Sequence, residues 1–148
     1  KIENRVQEKR RTQADWSLAC DLWAMAKGDE PHLFTQDEYL QGLRNARFGL
    51  CLAGYGNKCH REVECMAMGC VPLCAPEVDM DSYASPPIEG VHYIRVNTPE
   101  DARAASKMSQ ETWERMHAAG RKWWQENCSC EGSFRLTQRL VEAIQSKT

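Results

Sequence analysis

Residues Arg47 to Leu73 read RFGLCLAGYGNKCHREVECMAMGCVPL, and the order of apolar run, glycine turn, mixed stretch and second apolar run decides the fold class. Phe48 to Ala53 is nearly continuous in apolar residues, the pattern of a strand covered on both faces in a parallel sheet. His60 to Met68 has a helical pattern and stops at Gly69, a residue suited to the position just past a helix end. Val71 to Cys74 is a second short strand. Strand, helix and strand in this order form a βαβ unit, whose parallel crossover is almost always right-handed. The turn Gly54-Tyr55-Gly56-Asn57-Lys58 combines close backbone approach with fixed positive charge, and the helix behind it offers N–H groups at its start. That is chemistry for holding a phosphate.

Upstream, residues 1–27 read as helical, with Val6, Trp16, Leu18, Ala19, Leu22, Trp23 and Met25 as apolar contacts among many charges. Gly28-Asp29-Glu30-Pro31 ends that stretch. The chain therefore divides into an N-terminal helical segment and linker, 1–34, and an α/β lobe, 35–148. Thr35 and Glu38 have the spacing of a capping box for a helix from Gln36 to Asn45, with Tyr39, Leu40 and Leu43 as its inner face.

Downstream, Ala75 to Gly90 holds three prolines and four acidic residues and reads as a long loop. Val91 to Val96 is a third strand candidate. Thr98, Pro99 and Asp101 mark a helix start, as does Ser109 for a helix running to Asn127. Gly132-Ser133 introduces a last amphipathic helix whose apolar positions are Phe134, Leu136, Leu140, Val141 and Ile144. The expected architecture is a Rossmann-like three-layer α/β domain with a small parallel sheet, three strands and five or six helices.

The formal net charge of -2, from 19 Lys+Arg against 21 Asp+Glu, gives no general attraction to nucleic acid or an anionic membrane. No apolar run approaches the roughly 20 residues of a membrane span, and the start KIENRVQEKRR lacks the apolar core of a signal peptide. A cytoplasmic protein is expected if the chain is complete, and a Golgi or secretory one if a targeting segment has been removed. The eight cysteines lack the paired CxxC spacings of a zinc site, and several fall inside strand or helix patterns where a thiol behaves as a small hydrophobe. Reduced, mostly buried thiols are expected ahead of a disulfide framework, and no metal site is assigned.

In a parallel α/β sheet ligands bind beyond the carboxyl ends of the strands, which is where Gly54 to Lys58 falls. Its ending is neither that of a P-loop nor that of GxGxxG. Lys58 and Arg61 add charge, and a guanidinium can hold two phosphate oxygens at once. Glu64 follows Arg61 by three residues, so both share a face of the helix. A carboxylate there is placed to accept hydrogen bonds from sugar hydroxyls, and the bland alternative is an exposed ion pair with Arg61.

The run Arg61-x-x-Glu64-Cys-Met-Ala-Met-Gly69-Cys-Val-Pro72 resembles the nucleotide-sugar motif of GT-B glycosyltransferases, R-x-x-E-A-x-A-x-G-x-x-P, with its preceding glycine loop. It is similar above all to exostosin-like members, the segment Ala46-Arg47-Phe48-Gly49-Leu50 standing where they carry an SRF-type strand. The similarity covers about Tyr39 to Val96. It implies the C-terminal, nucleotide-sugar-binding lobe of a GT-B fold. Glu64 would bind the ribose, Arg61 with Lys58 would neutralise the diphosphate, and the backbone from Gly54 through Tyr55 and Gly56 to Asn57 would lie beside it. A nucleoside-diphosphate sugar would be the donor substrate, a carbohydrate or glycan the acceptor, and no cofactor is implied. Gly56 stands eight residues before Glu64, where retaining members often carry a second glutamate. A complete GT-B enzyme also has an N-terminal lobe, which a chain of 148 residues leaves no room for beside the first; such a lobe, of the same enzyme or another chain, is an expected partner.

No catalytic residue is assigned. His60 is expected to contact phosphate or pack locally, His92 to be a satisfied core or sheet-edge histidine, and Asp79, Asp81 and Tyr83 to lie in a solvated loop at the carboxyl end of the second strand. Trp113, Trp123 and Trp124 have the helical spacing of packing residues. Two other functions fit the same residues: a non-catalytic α/β interaction domain with a structural glycine loop, and a nucleotide-dependent epimerase of GT-B type.

Overall fold

The computed structural model describes residues 35–54, 56–58 and 60–146. Contacts group the chain into two compact units, Lys1–Asp37 and Glu38–Thr148. The readings made above for 1–34, and for Tyr55, lie outside the described residues.

The described residues are α/β. Their elements run α1 (Gln36–Asn45), which starts two residues before the second unit, β1 (Phe48–Cys51), α2 (Arg61–Met68), β2 (Val71–Cys74), β3 (Ile94–Arg95), α3 (Pro99–Ser106), α4 (Gln110–Asn127) and α5 (Cys130–Gln145). The three strands form one parallel sheet in the order β1-β2-β3, a layout compatible with a Rossmann-like domain. Helix α2 packs on β1 and β2, α4 packs on α2 and reaches β2, and α5 packs on α4.

The register explains the short sheet. Phe48 pairs with Val71 and Cys51 with Cys74, and the Val71 and Ala75 N–H groups donate to Arg47 and Cys51 across that ladder. By alternation, Pro72 faces the β3 side, where β3 pairs only from Leu73 onward. The proline thus lies where no ladder bond is required of it. The third strand is shorter than the Val91 to Val96 run expected. Residues 88–93 spend their backbone groups locally, with Gly90 N–H donating to Tyr93 and both Val91 and His92 N–H to Ile88.

Strand β1 is not covered on both faces. Gly49 and Cys51 turn toward the α2 side, whereas Leu50 is 48% exposed, as expected of an edge strand with one open face. A β-carbon on Gly49 would collide with the Cys65 sulfur, so the glycine sets how closely α2 lies on the sheet. The shared core joins Cys51, Cys65, Met66, Cys70 and Cys74 to Val78, Met80, Tyr93 and Trp123. Val78 and Met80 come from the long loop 75–90, which is irregular as expected but anchored through those two side chains.

Helix ends follow local chemistry. Gly69 adopts φ 86°, and its N–H donates to Met66 while that of Cys70 donates to Cys65, closing α2 in a Schellman motif. Thr98 and Asp101 form a reciprocal capping box on α3. Ser109 caps α4 and Ser129 caps α5. The last helix begins before Gly132, because the Ser129 hydroxyl accepts the Gly132 N–H and draws 130–133 into its first turn. Its apolar positions are not buried: Phe134 is 70% exposed, and Leu140, Val141 and Ile144 are exposed with it.

Candidate functional site

The glycine turn joins the carboxyl end of β1 to α2 and is tied to the loop that leaves β2. Asp79 N–H donates to the Asn57 carbonyl at 2.6 Å, and Gly54 N–H to that of Gly56 at 3.2 Å. Lys58 Nζ donates to Ser82 Oγ at 3.1 Å and stands 3.5 Å from the centroid of the Tyr83 ring, a cation–π contact. The Asp79 carboxylate accepts the N–H groups of Asp81 and Ser82. Hydrogen bonding from the Ser82 side chain, then from those two backbone groups, with attraction from Lys58, holds it below the usual carboxylate range. Asp79 is thus occupied in fixing a turn. Among the described residues, a β-carbon on Gly56 would meet the Lys58 carbonyl at 3.9 Å, an ordinary contact.

Helix α2 carries two carboxylates with different surroundings. Glu62 is fully buried and its Oε1 accepts the Tyr83 hydroxyl at 3.2 Å. Tyr83 packs edge-on against Trp123 at 5.1 Å, and burial, then Glu62, pushes its phenol far above the ordinary range. Residues 62, 65, 66 and 69 have the i, i+3, i+4, i+7 spacing of an inner helix face and all four are buried, a signal that marks Glu62 as an inner carboxylate.

Glu64 is half-buried on another side of the helix, and its Oε2 accepts the Tyr39 hydroxyl at 2.9 Å. The exposed Arg61 guanidinium lies 5.9 Å from the centroid of the same Tyr39 ring. Burial first, then the bond to Glu64, raises the Tyr39 phenol to about 12, so it remains a donor at neutral pH. The ion pairs among the described residues are Arg103–Glu100, Lys122–Glu126 and Arg135–Glu131; none joins Arg61 to Glu64. The structure thus brings Arg61 and Glu64 together through Tyr39 and attaches Lys58 to the Ser82–Tyr83 loop. The first turn of α2 has no side-chain cap, His60 standing at its N-cap in helical geometry without such a bond.

His92, Trp113 and Trp123 bond to backbone groups. His92 Nδ1 accepts the Ile88 N–H at 2.7 Å, and burial holds the imidazole below its ordinary value. Trp113 and Trp123 donate their indole N–H groups to Arg47 and Ser85 carbonyls. Arg95, which carries no signal in the sequence, donates to the Ala75 and Val78 carbonyls at 2.8 Å each and straps the loop behind β2.

The thiols of Cys51 and Cys65 lie 4.0 Å apart behind α2. Hydrogen bonding to Cys65, together with burial, keeps Cys51 and Cys70 protonated far above the usual thiol range. The six described cysteines are free thiols, and among the described residues no three His, Cys, Asp or Glu side chains converge to hold a metal ion. A separate polar cavity of 630 Å³ lies at the α4–α5 junction, lined by Gln125, Asn127, Glu131, Arg135 and others, apart from the glycine turn. No described helix is long and apolar enough to cross a membrane.

Comparison with family models, with curated proteins and with solved structures found no match to this chain.

Proposed function

We propose that residues 35–148 are the nucleotide-sugar-binding lobe of a GT-B-like glycosyltransferase, with a Rossmann-like three-layer plan. One observation carries the reading. A half-buried carboxylate, Glu64, stands one turn after an exposed arginine, Arg61, on the helix that leaves a glycine turn at the carboxyl end of a parallel strand. Parallel sheets present ligands at that end, and a helix start beside a glycine turn favours a phosphate.

In this reading Glu64 accepts hydroxyls of the ribose, while Arg61, Lys58 and the backbone from Gly54 to Asn57 face the diphosphate. As the bond to the sugar breaks, negative charge grows on the departing nucleoside diphosphate. Fixed cations and N–H groups stabilise that charge more than they stabilise the intact donor, which is the source of rate. A metal ion is not required for this. The acceptor site and, in an inverting enzyme, the base would be carried by an N-terminal lobe, of the same enzyme or another chain.

A non-catalytic interaction domain is the second reading, favoured by the exposed apolar residues Phe134, Leu140 and Val141 of α5. Thermal denaturation with UDP, GDP and their sugars separates the two. A ligand at about 100 times its Kd stabilises by about 2.7 kcal/mol. The glycosyltransferase reading expects a rise in Tm with one of these nucleotides and a smaller rise for Arg61→Ala. No rise with any of them would overturn it.

A further inference from the structure

We infer that Tyr39 is the positioning residue that gives this site its preference for a ribonucleoside over a 2′-deoxyribonucleoside diphosphate. The inference rests on the assignment of Glu64 to the sugar of the nucleotide and adds a residue outside the motif that suggested it. Tyr39 lies on α1, 25 positions before Glu64, and reads in the sequence as one more residue of an apolar helix face.

A single side chain meets both charged groups on the outer side of α2. The Tyr39 hydroxyl donates to Glu64 Oε2 at 2.9 Å, and its ring lies within cation–π range of Arg61. Three residues apart on a helix, Arg61 and Glu64 are natural partners for each other. Here they do not pair. The hydroxyl occupies one carboxylate oxygen and orients the group, leaving Oε1 to accept from a vicinal diol, whose two hydroxyls need an acceptor in a fixed direction. The ring meanwhile keeps the guanidinium near the helix start, where a diphosphate would lie. Without the hydroxyl, Glu64 is free to rotate toward Arg61. Such a pair would withdraw the acceptor from the sugar and the cation from the phosphate together.

Tyr39→Phe keeps the ring and removes only the donor. The full chain, its fold checked by circular dichroism, is titrated calorimetrically with UDP and GDP and with their 2′-deoxy counterparts. The parent is expected to bind one ribonucleotide about tenfold more tightly than its deoxy form, a ratio set by one hydrogen bond to a charged group. Tyr39→Phe is expected to bring that ratio close to one, and Glu64→Gln,Tyr39→Phe to lower it no further than Glu64→Gln alone. A parent that discriminates while Tyr39→Phe keeps the same ratio would overturn the role of Tyr39 and leave the nucleotide site standing. A parent that binds none of the four nucleotides would overturn both. Should Tyr39→Phe misfold, Tyr39→His, which retains a ring and a donor, gives the complementary test: discrimination kept supports the inference, and discrimination lost in a folded protein opposes it.

Discussion

Replacing Gly69 by alanine tests how firmly α2, and with it Arg61 and Glu64, is held in place. Gly69 sits at φ 86°, where an L side chain costs roughly 1–2 kcal/mol. Its β-carbon would also meet His117 Cε1 at 2.5 Å, and His117 Nδ1 is bonded to the Gly69 carbonyl while its ring stacks on Trp113 at 4.9 Å. Moving that imidazole forfeits a hydrogen bond of about 1 kcal/mol. Alanine regains roughly 0.4–1 kcal/mol through the lower entropy of the unfolded chain. The net expectation is a loss of about 2 kcal/mol, a fall in Tm of about 5–10 °C for a chain of this size. Urea denaturation followed by tryptophan fluorescence measures it. In a His117→Ala background the steric part disappears, so Gly69→Ala should then cost only about 1 kcal/mol, and the difference between backgrounds is the coupling. A cost below about 0.5 kcal/mol in the parent, or one equal in both backgrounds, would refute the argument.

The remaining predictions concern the groups behind and beside the site. Tyr83→Phe removes the hydroxyl that donates to buried Glu62 and should destabilise the fold by about 1–3 kcal/mol; unchanged denaturant midpoints would show that this bond contributes nothing. His92 is held below its ordinary value by burial, and its Nδ1 must stay unprotonated to accept the Ile88 N–H. Its contribution to stability is therefore complete above the unfolded value of about 6.5 and is lost as pH falls through the lower folded value. Stability measured from pH 7.5 to 4.5 should decline over this window in the parent and decline less in His92→Asn, which retains an acceptor that does not titrate. Parallel profiles for the two proteins would contradict this.

Local chemistry carried most of the legible information. The C-terminal end of α2, the capping box on α3 and the whole of β2 could be read because each depends on residues within a few positions: Gly69 for the left-handed cap, Thr98 and Asp101 for reciprocal bonds, Val71 to Cys74 for a buried strand. Cover by distant segments could not be read in the same way. Leu50 and Leu52 are as apolar as Val71 and Leu73, yet both are exposed: Leu50 stands on the face of β1 away from α2, and Leu52 lies past the end of the strand. The α5 positions Phe134 and Leu140 likewise have the pattern of a buried face and are open. At the candidate site, Arg61, Glu64 and Lys58 could be picked out by type and spacing. Their partners, Tyr39 and the Ser82–Tyr83 pair, are 22 or more residues away and follow only from the fold. Glu62 was missed for a different reason: a carboxylate at an inner helix position goes against the usual cost of burying charge, and a phenol from the long loop meets it there.

Glu64 is the residue on which the functional account turns, and calorimetric titration of the parent and Glu64→Ala side by side tests it most directly. The account predicts that the parent binds a ribonucleoside diphosphate and that Glu64→Ala, still folded, binds it at least about tenfold more weakly, as expected for losing hydrogen bonds to a charged acceptor. Equal affinity in the two proteins, or heat of binding from neither, would contradict it.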